Sequence, residues 1–253
     1  MRFTISPAFK DRQKALESMI NGFSTTGQDF VIGRRNTIKT FPLGESTVNV
    51  KSFRVPNLLN AVVYTFFRKS KARRSFEFAQ KLEKNGIGTP EPIAYVENYG
   101  FPGLKDSYYM CRHIMPDLTF RELVEIPDYP EHNIILRQFV AFSFKLHQAG
   151  IEFKDHSPGN TLIVKDGPGR YSFFLVDLNR MNFHESMSFE QRMENLKRLT
   201  PKKEMVEVMS NEYAKLYKQR TEAEIFELLW ARTEEFQRKF WRKRALKQKL
   251  KLK

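Results

Sequence analysis

The sequence predicts an α+β protein: an antiparallel sheet with one inserted helix, followed by a mostly helical half that carries one small hairpin. Three observations predict it. Short β-forming runs separated by turn residues dominate the chain from Asp29 to Met115. A helical spacing of apolar residues opens the second half in "HNIILRQFVAFSFKLHQAG". The run "NTLIV", the turn "KDGPGR" and the run "YSFFLVDL" then read as strand, turn and strand.

In chain order, "DFVIGRRNTIKTFPLGESTVNVKSF" holds three β-like runs broken by turn signals at Gly33 to Asn36 and at Pro42 to Glu45, an antiparallel meander ending at Lys51. "SKARRSFEFAQKLEKNG" is rich in helix formers, has Phe78 and Leu82 four residues apart, and stops at Asn85-Gly86. "PIAYVEN" and "SYYMCRHIM" supply two more strands. In the long helix, Ile135, Phe139, Phe142 and Leu146 fall on one face, and Gly150 is placed to cap it. Beyond Asn182 the pattern is helical throughout. A boundary is expected near Met115 to Asp117, which gives a first lobe over 1–115, a second over 116–241, and a basic tail over 242–253.

With 253 residues, 41% of them hydrophobic, the chain is long enough for a sizeable core. Its one cysteine, Cys111, excludes an intrachain disulfide and any thiolate zinc cluster, and its apolar setting marks it as a core thiol rather than a nucleophile. His113, His147 and His156 show no metal-ligand spacing. "MRFTISPAFKDRQ" has no apolar run of signal-peptide length, and no window reaches about 18 uninterrupted apolar residues, so neither secretion nor a membrane span is expected. The net charge of +14 calls for an anionic partner. Nine of the positive charges lie in the last sixteen residues, "RKFWRKRALKQKLKLK", with no acid among them, which leaves +5 for the rest of the chain.

The chemistry concentrates in "FKDHSPGNTLIV", Phe153 to Val164. Asp, Ser, Pro, Gly and Asn are common turn residues, so this stretch alone is also an ordinary turn before a strand. Phosphoryl transfer needs a group that orients or deprotonates the attacking hydroxyl, oxygen ligands for Mg2+, and a cation on the nucleotide phosphates. Asp155 and Asn160 stand in D-x-x-x-x-N, the spacing protein kinases use for the catalytic aspartate and a metal-binding asparagine. Asp177 closes the run "FFLV" twenty-two residues after Asp155, so the hairpin is expected to return it to the same end of the small sheet, where it and Asn160 offer the oxygen ligands a hard cation prefers. Lys51 closes "VNVK" and resembles the third-strand lysine of kinases, with Glu77 of the following helix either in the place of its ion-pair partner or a surface carboxylate among Arg73, Arg74 and Lys81.

Taken together, "RRSFEFAQKLEKNGIGTPEPIAYVE", "LHQAGIEFKDHSPGNTLIV" and "FLVDLNRMNF" resemble segments of the lipopolysaccharide core kinases, the Kdo and heptose kinase family, over roughly Asp29 to Leu199. The resemblance implies a two-lobed protein-kinase-like fold, ATP and Mg2+ as cofactors, and a sugar hydroxyl of the lipopolysaccharide inner core, carried on lipid A, as acceptor. It implies that Asp155 handles the acceptor hydroxyl, that Asn160 and Asp177 hold Mg2+, that Lys51, fixed by Glu77, engages the phosphates, and that a hinge over Cys111, Arg112, His113 and Ile114 contacts adenine.

The sequence departs from the kinase pattern in places. The glycine-rich loop is reduced to Gly33, Arg34, Arg35 and Asn36, in which the two arginines are expected to compensate on the phosphates. Phe153 and Lys154 replace the usual His-Arg, D-F-G is Asp177-Leu178-Asn179, and no A-P-E segment follows. The rivals are an atypical protein or small-molecule kinase, and a pseudokinase acting as a scaffold on anionic lipid or RNA. The expected location is cytoplasmic, peripheral on the inner face of the cytoplasmic membrane, with the basic tail on the anionic surface; no DNA partner is expected.

Overall fold

The computed structural model describes residues 1–32, 36–54, 68–101 and 103–251. They form two compact units, one of Met1–Met115 with Asp177–Arg180, the other of Pro116–Val176 with Met181–Lys253.

The first unit is built on an antiparallel six-stranded sheet of β1 (Arg2–Ile5), β2 (Gln28–Ile32), β3 (Asn36–Leu43), β4 (Ser46–Arg54), β5 (Pro92–Gly100) and β6 (Gly103–Arg112), in the order β1-β5-β6-β4-β3-β2. Register decides what each face carries. Lys51 lies opposite Ile38 on one side and Tyr109 on the other, and Asn49 lies opposite Cys111, so Asn49, Lys51, Tyr109 and Cys111 share a face. Val48, Val50 and Met110 face the other way. They pack there against Leu16, Met19, Ile20 and Phe23 from α1 (Gln13–Asn21) and the turn after it. That N-terminal segment is absent from the expectations above. Each of its buried side chains contributes at most about 1.5–3 kcal/mol, enough in sum to make it part of the unit rather than a loose arm.

Helix α2 (Lys71–Lys84) follows the residues outside the described set. The Ser70 hydroxyl caps it by accepting from the Arg73 N–H at 3.0 Å, and Gly86 ends it at φ +63°. Its buried positions are Ala72, Ser75, Phe76, Ala79 and Leu82. Phe76, not Phe78, therefore occupies the core side, with its ring 5.3 Å from that of Tyr95 on β5.

The second unit holds α3 (Phe120–Glu125), α4 (His132–Gln148), α5 (Phe189–Leu196), α6 (Lys203–Leu216) and α7 (Glu222–Lys251). Two small sheets accompany them: β10 (Arg170–Leu175), β9 (Thr161–Gly167) and β7 (Leu118–Thr119) in that order, and β8 (Ile151–Phe153) paired with β11 (Met181–Phe183). Phe183, past the point where the sequence reads as helical throughout, is thus the end of a short strand. On α4, Ile135, Phe139 and Leu146 are fully buried, and Phe120 lies 4.2 Å from Phe139 between ring centroids. Gly150 is required twice over: it has φ +68°, and a Cβ there would sit 2.1 Å from the His184 carbonyl oxygen. This close approach places β8 beside β11 directly before the loop that carries Asp155. Helix α7 buries Ile225, Leu229 and Thr233, then runs on without a break through Trp241 and Arg242, exposed from Arg238 to Lys249.

Candidate active site

In the first unit, Lys51 reaches Asp177, with Nζ 2.8 Å from Oδ1. The Asn179 amide donates to the same oxygen at 2.7 Å. Asp177 has φ +60°, a left-handed conformation uncommon for a residue with a Cβ. Its side chain is 37% exposed, so the carboxylate keeps a face open to solvent while one oxygen is anchored. The open carboxylate oxygen is the ligand type a hard divalent cation prefers; among the described residues no group of three or more His, Cys, Asp or Glu side chains is placed to hold a metal ion.

The expected Lys51–Glu77 pair is not formed. Glu77 accepts instead from Lys69, at 2.7 Å, and from Arg73 one helical turn earlier, at 2.8 Å. Burial alone would raise the Glu77 pKa, but these two cations outweigh it and the net shift is downward. Two cations close along the chain thus hold the carboxylate that was assigned to the strand lysine. Of the proposed hinge, Cys111 is buried and its thiol is pushed up to about 12 by burial, which suits a core residue. Arg112 pairs with Glu91 at 2.8 Å, and its N–H donates to the Glu91 carbonyl. His113 donates its N–H to Thr47 at 2.7 Å and packs edge-on against Phe30, and desolvation lowers its pKa. Ile114 follows, half-buried. Gly33, Arg34 and Arg35 lie outside the described residues.

In the second unit, Asp155 and Asn160 are joined through the backbone. The Asn160 amide nitrogen donates to the Asp155 carbonyl at 2.8 Å, which orients the amide and leaves its oxygen as the atom able to ligate a cation. The Val176 N–H donates to the Asn160 carbonyl at 3.0 Å, so the loop is tied to the end of β10, one residue before Asp177. Arg198 donates from Nη1 to the Lys154 carbonyl at 2.9 Å, and the same nitrogen lies 3.5 Å from Oδ1 of Asp155.

Sequence reasoning missed what holds this loop from beneath. Asn195 on α5 donates to the Phe153 carbonyl at 2.8 Å, so its side-chain oxygen must accept. That oxygen lies 3.2 Å from both His147 Nε2 and His156 Nδ1. Both rings therefore donate to it. Neutral His147 then accepts the Tyr213 hydroxyl at Nδ1, 2.8 Å away, while Nε2 of His156 is a buried atom without a partner among the described residues. Both histidines are fully buried, and burial, opposed by the Asn195 hydrogen bond, pushes their pKa values down to about 3 and about 4. Arg192 closes the network on Met187, Gln148 and Tyr213. The only sequence signal was two histidines within apolar surroundings, too little to specify partners 39 to 66 residues away.

No protein-family model and no curated protein matches the sequence. Among solved structures, WaaP in complex with acyl carrier protein matches with a TM-score of 0.66 at 15% identity, covering 94% of this chain and 98% of that one. At that identity the match shows a shared fold over nearly the full length of both chains. The chain has the protein-kinase-like fold, with an antiparallel sheet in its first unit and a helical second unit, that its resemblance to the lipopolysaccharide core kinases implies.

Proposed function

We propose that this protein transfers the γ-phosphoryl group of ATP to a hydroxyl of Kdo or a related sugar in the lipopolysaccharide inner core. The observation that carries the reading is the Lys51–Asp177 pair, a strand lysine and a left-handed, solvent-facing aspartate 126 residues apart in the chain. The fold shared with WaaP and the sequence resemblance supply the reaction class, a sugar kinase.

Roles follow from the chemistry of each group. Asp155 orients the acceptor hydroxyl and takes its proton as the oxygen attacks the γ-phosphorus and the bond to the β–γ bridging oxygen breaks. Lys51 places its ammonium on the α- and β-phosphates, for which it must leave Asp177. Asp177 and the Asn160 side-chain oxygen are the residues that would hold Mg2+, and the ion would supply neutralisation of the phosphate charge. Glu77 acts on Lys69 and Arg73 in this scheme rather than on Lys51. Cys111 to Ile114 contact the base, and Gly33, Arg34 and Arg35 contact the phosphates.

We also propose that the acceptor is lipid-linked and met at the anionic inner face of the cytoplasmic membrane. Among the described residues no helix is long and apolar enough to cross a membrane. The exposed apolar side chains at the end of α7 are Phe240, Trp241 and Leu246. At roughly 100° per residue they point in three directions about 100–140° apart, with basic groups filling the gaps. Among the described side chains of this end no single apolar face forms, so its attraction to the surface is taken to be electrostatic and screened by salt. WaaP was solved with acyl carrier protein, which makes acyl carrier protein a second partner to assay.

The test is incubation with γ-labelled ATP, Mg2+ and de-lipidated core oligosaccharides, with mass analysis of the product. The reading requires one added phosphate on a Kdo or neighbouring sugar. Label found only in inorganic phosphate, or in a protein substrate, would sink it.

A further inference from the structure

The stretch from Asn195 to Arg198, at the end of α5, holds four consecutive residues around Asp155. Asn195 donates to the Phe153 carbonyl and accepts from His156. Arg198 donates to the Lys154 carbonyl at 2.9 Å and brings the same Nη1 to 3.5 Å from the Asp155 carboxylate. The two carbonyls before the aspartate and the imidazole after it are thus held from a single turn of chain, which also brings a cation to one oxygen of its side chain.

Arg198 is oriented from a second direction. Its guanidinium lies over the ring of Phe236 on α7, with 5.3 Å from Cζ to the ring centroid. Its Nε is buried and without a partner among the described residues. A planar cation stacked on an aromatic ring, with its outer nitrogen shared by a carbonyl and a carboxylate, is a geometry that lysine's single ammonium does not reproduce.

We propose that Arg198 is a positioning residue for Asp155. It restrains the carboxylate for the transfer step from a plane set by Phe236, so the C-terminal helix takes part in turnover through that ring. This inference rests on the reading of Asp155 as the residue that handles the acceptor hydroxyl.

The experiment uses the full chain with Arg198→Met, Arg198→Lys and Phe236→Leu. Four quantities are measured: amide hydrogen exchange of the 153–160 segment, kcat for phosphoryl transfer, nucleotide Kd and melting temperature. Arg198→Met is expected to speed exchange of that segment while leaving exchange on α6 unchanged. It should lower kcat by about 10²-fold, the scale of a misplacement of about 1 Å, with nucleotide Kd unchanged. Arg198→Lys should recover part of the loss, and Phe236→Leu should show a smaller loss of the same kind. Unchanged exchange and kcat in Arg198→Met would overturn the proposal, as would faster exchange across the whole second unit, which marks a structural role only. If the wild type transfers no phosphate, the reading of Asp155 falls, and exchange in the 153–160 segment alone decides whether Arg198 positions it.

Discussion

The Lys51–Asp177 pair and the Asp155 loop carry the same proposed reaction, and they are held by opposite means. Lys51 and Asp177 meet through one charge contact between a largely buried lysine and a carboxylate that is 37% exposed, so solvent reaches and screens the pair from the Asp177 side. The Asp155 loop rests mainly on buried neutral side chains, Asn195, His147, His156 and Tyr213, hydrogen-bonded to the Phe153 carbonyl and to one another, with Arg198 as its one charged contact. The contrast suits the roles proposed for each. A lysine that has to exchange an aspartate for incoming phosphates needs a partner it can release, whereas an aspartate that orients a hydroxyl needs a frame that does not move. The pair should therefore respond to ligand and metal, and the loop to whatever protonates or empties its scaffold.

Acid should expose the difference most strongly. The folded pKa values of His147 and His156, about 3 and about 4, lie below the ordinary 6.5, so the folded protein keeps both neutral while the unfolded chain gains protons as pH drops below about 6.5. Their stabilisation is complete above that pH and is lost as pH falls toward the folded values. Between pH 6.5 and 4.5 each removes about 1 kcal/mol of stability per pH unit. His113, lowered in the same direction, adds to the trend. Carboxylates with lowered pKa values, such as Glu77 and Glu152, act only below about 4.5 and leave this window to the histidines. Denaturant unfolding from pH 7 to 5 should show the slope, and a variant with His147→Gln and His156→Gln should flatten it. A wild-type stability independent of pH over that range would remove the buried pair from the account.

Replacing Asp155 by Asn keeps size and backbone contacts and removes the proton acceptor. Turnover should fall by about 10²-fold or more while the melting temperature and nucleotide Kd hold. Near wild-type transfer under saturating ATP and Mg2+ would end the assignment.

On the sheet side, Asp177→Ala should weaken nucleotide binding by about tenfold when Mg2+ is present and much less without it, because the carboxylate acts through the cation. Lys51→Ala should weaken both. Calorimetric titrations in which the Asp177 variant loses equally with and without Mg2+ would contradict the division of labour.

The smallest effect is expected at the end of α7. Deleting Arg242 to Lys253 should reduce sedimentation with anionic vesicles, more at low salt than at high, since each basic group near such a surface contributes about 1 kcal/mol before screening. Activity on a soluble sugar should be spared. Equal vesicle binding by the shortened chain would remove this end as the membrane contact.

Much of the fold was legible because its elements are locally encoded. The meander from Gln28 to Arg54 alternates and turns at Gly44, α4 repeats its apolar residues at helical spacing, and the β9–β10 hairpin is bracketed by strong turn residues. Strand β1 and α1 were not legible. Leu16, Met19 and Ile20 are a weak signal among charged neighbours, and only the sheet face they cover makes them core. At the candidate site, spacing marks Asp155 and Asn160 only as candidates, and their order with Lys51 and Asp177 is what the resemblance rests on. Their partners are not legible. For Glu77 the kinase analogy gives a distant lysine, whereas the plain reading of a surface carboxylate among nearby cations finds Arg73, four residues away, and leaves only Lys69 unforeseen. Asn195 and Arg198 look like ordinary helix-end residues until the fold brings them beneath Phe153 to His156.

The most direct measurement is phosphorus NMR of ATP and Mg2+ with the protein, recorded with and without an inner-core oligosaccharide. The account predicts that the γ-phosphate signal of ATP is replaced, only when acceptor is present, by a phosphomonoester signal that stays with the sugar and is lost in the Asp155→Asn variant. Persistence of intact ATP with acceptor and Mg2+ at saturation, or its conversion to free phosphate alone, would contradict the claim that this protein is a sugar kinase.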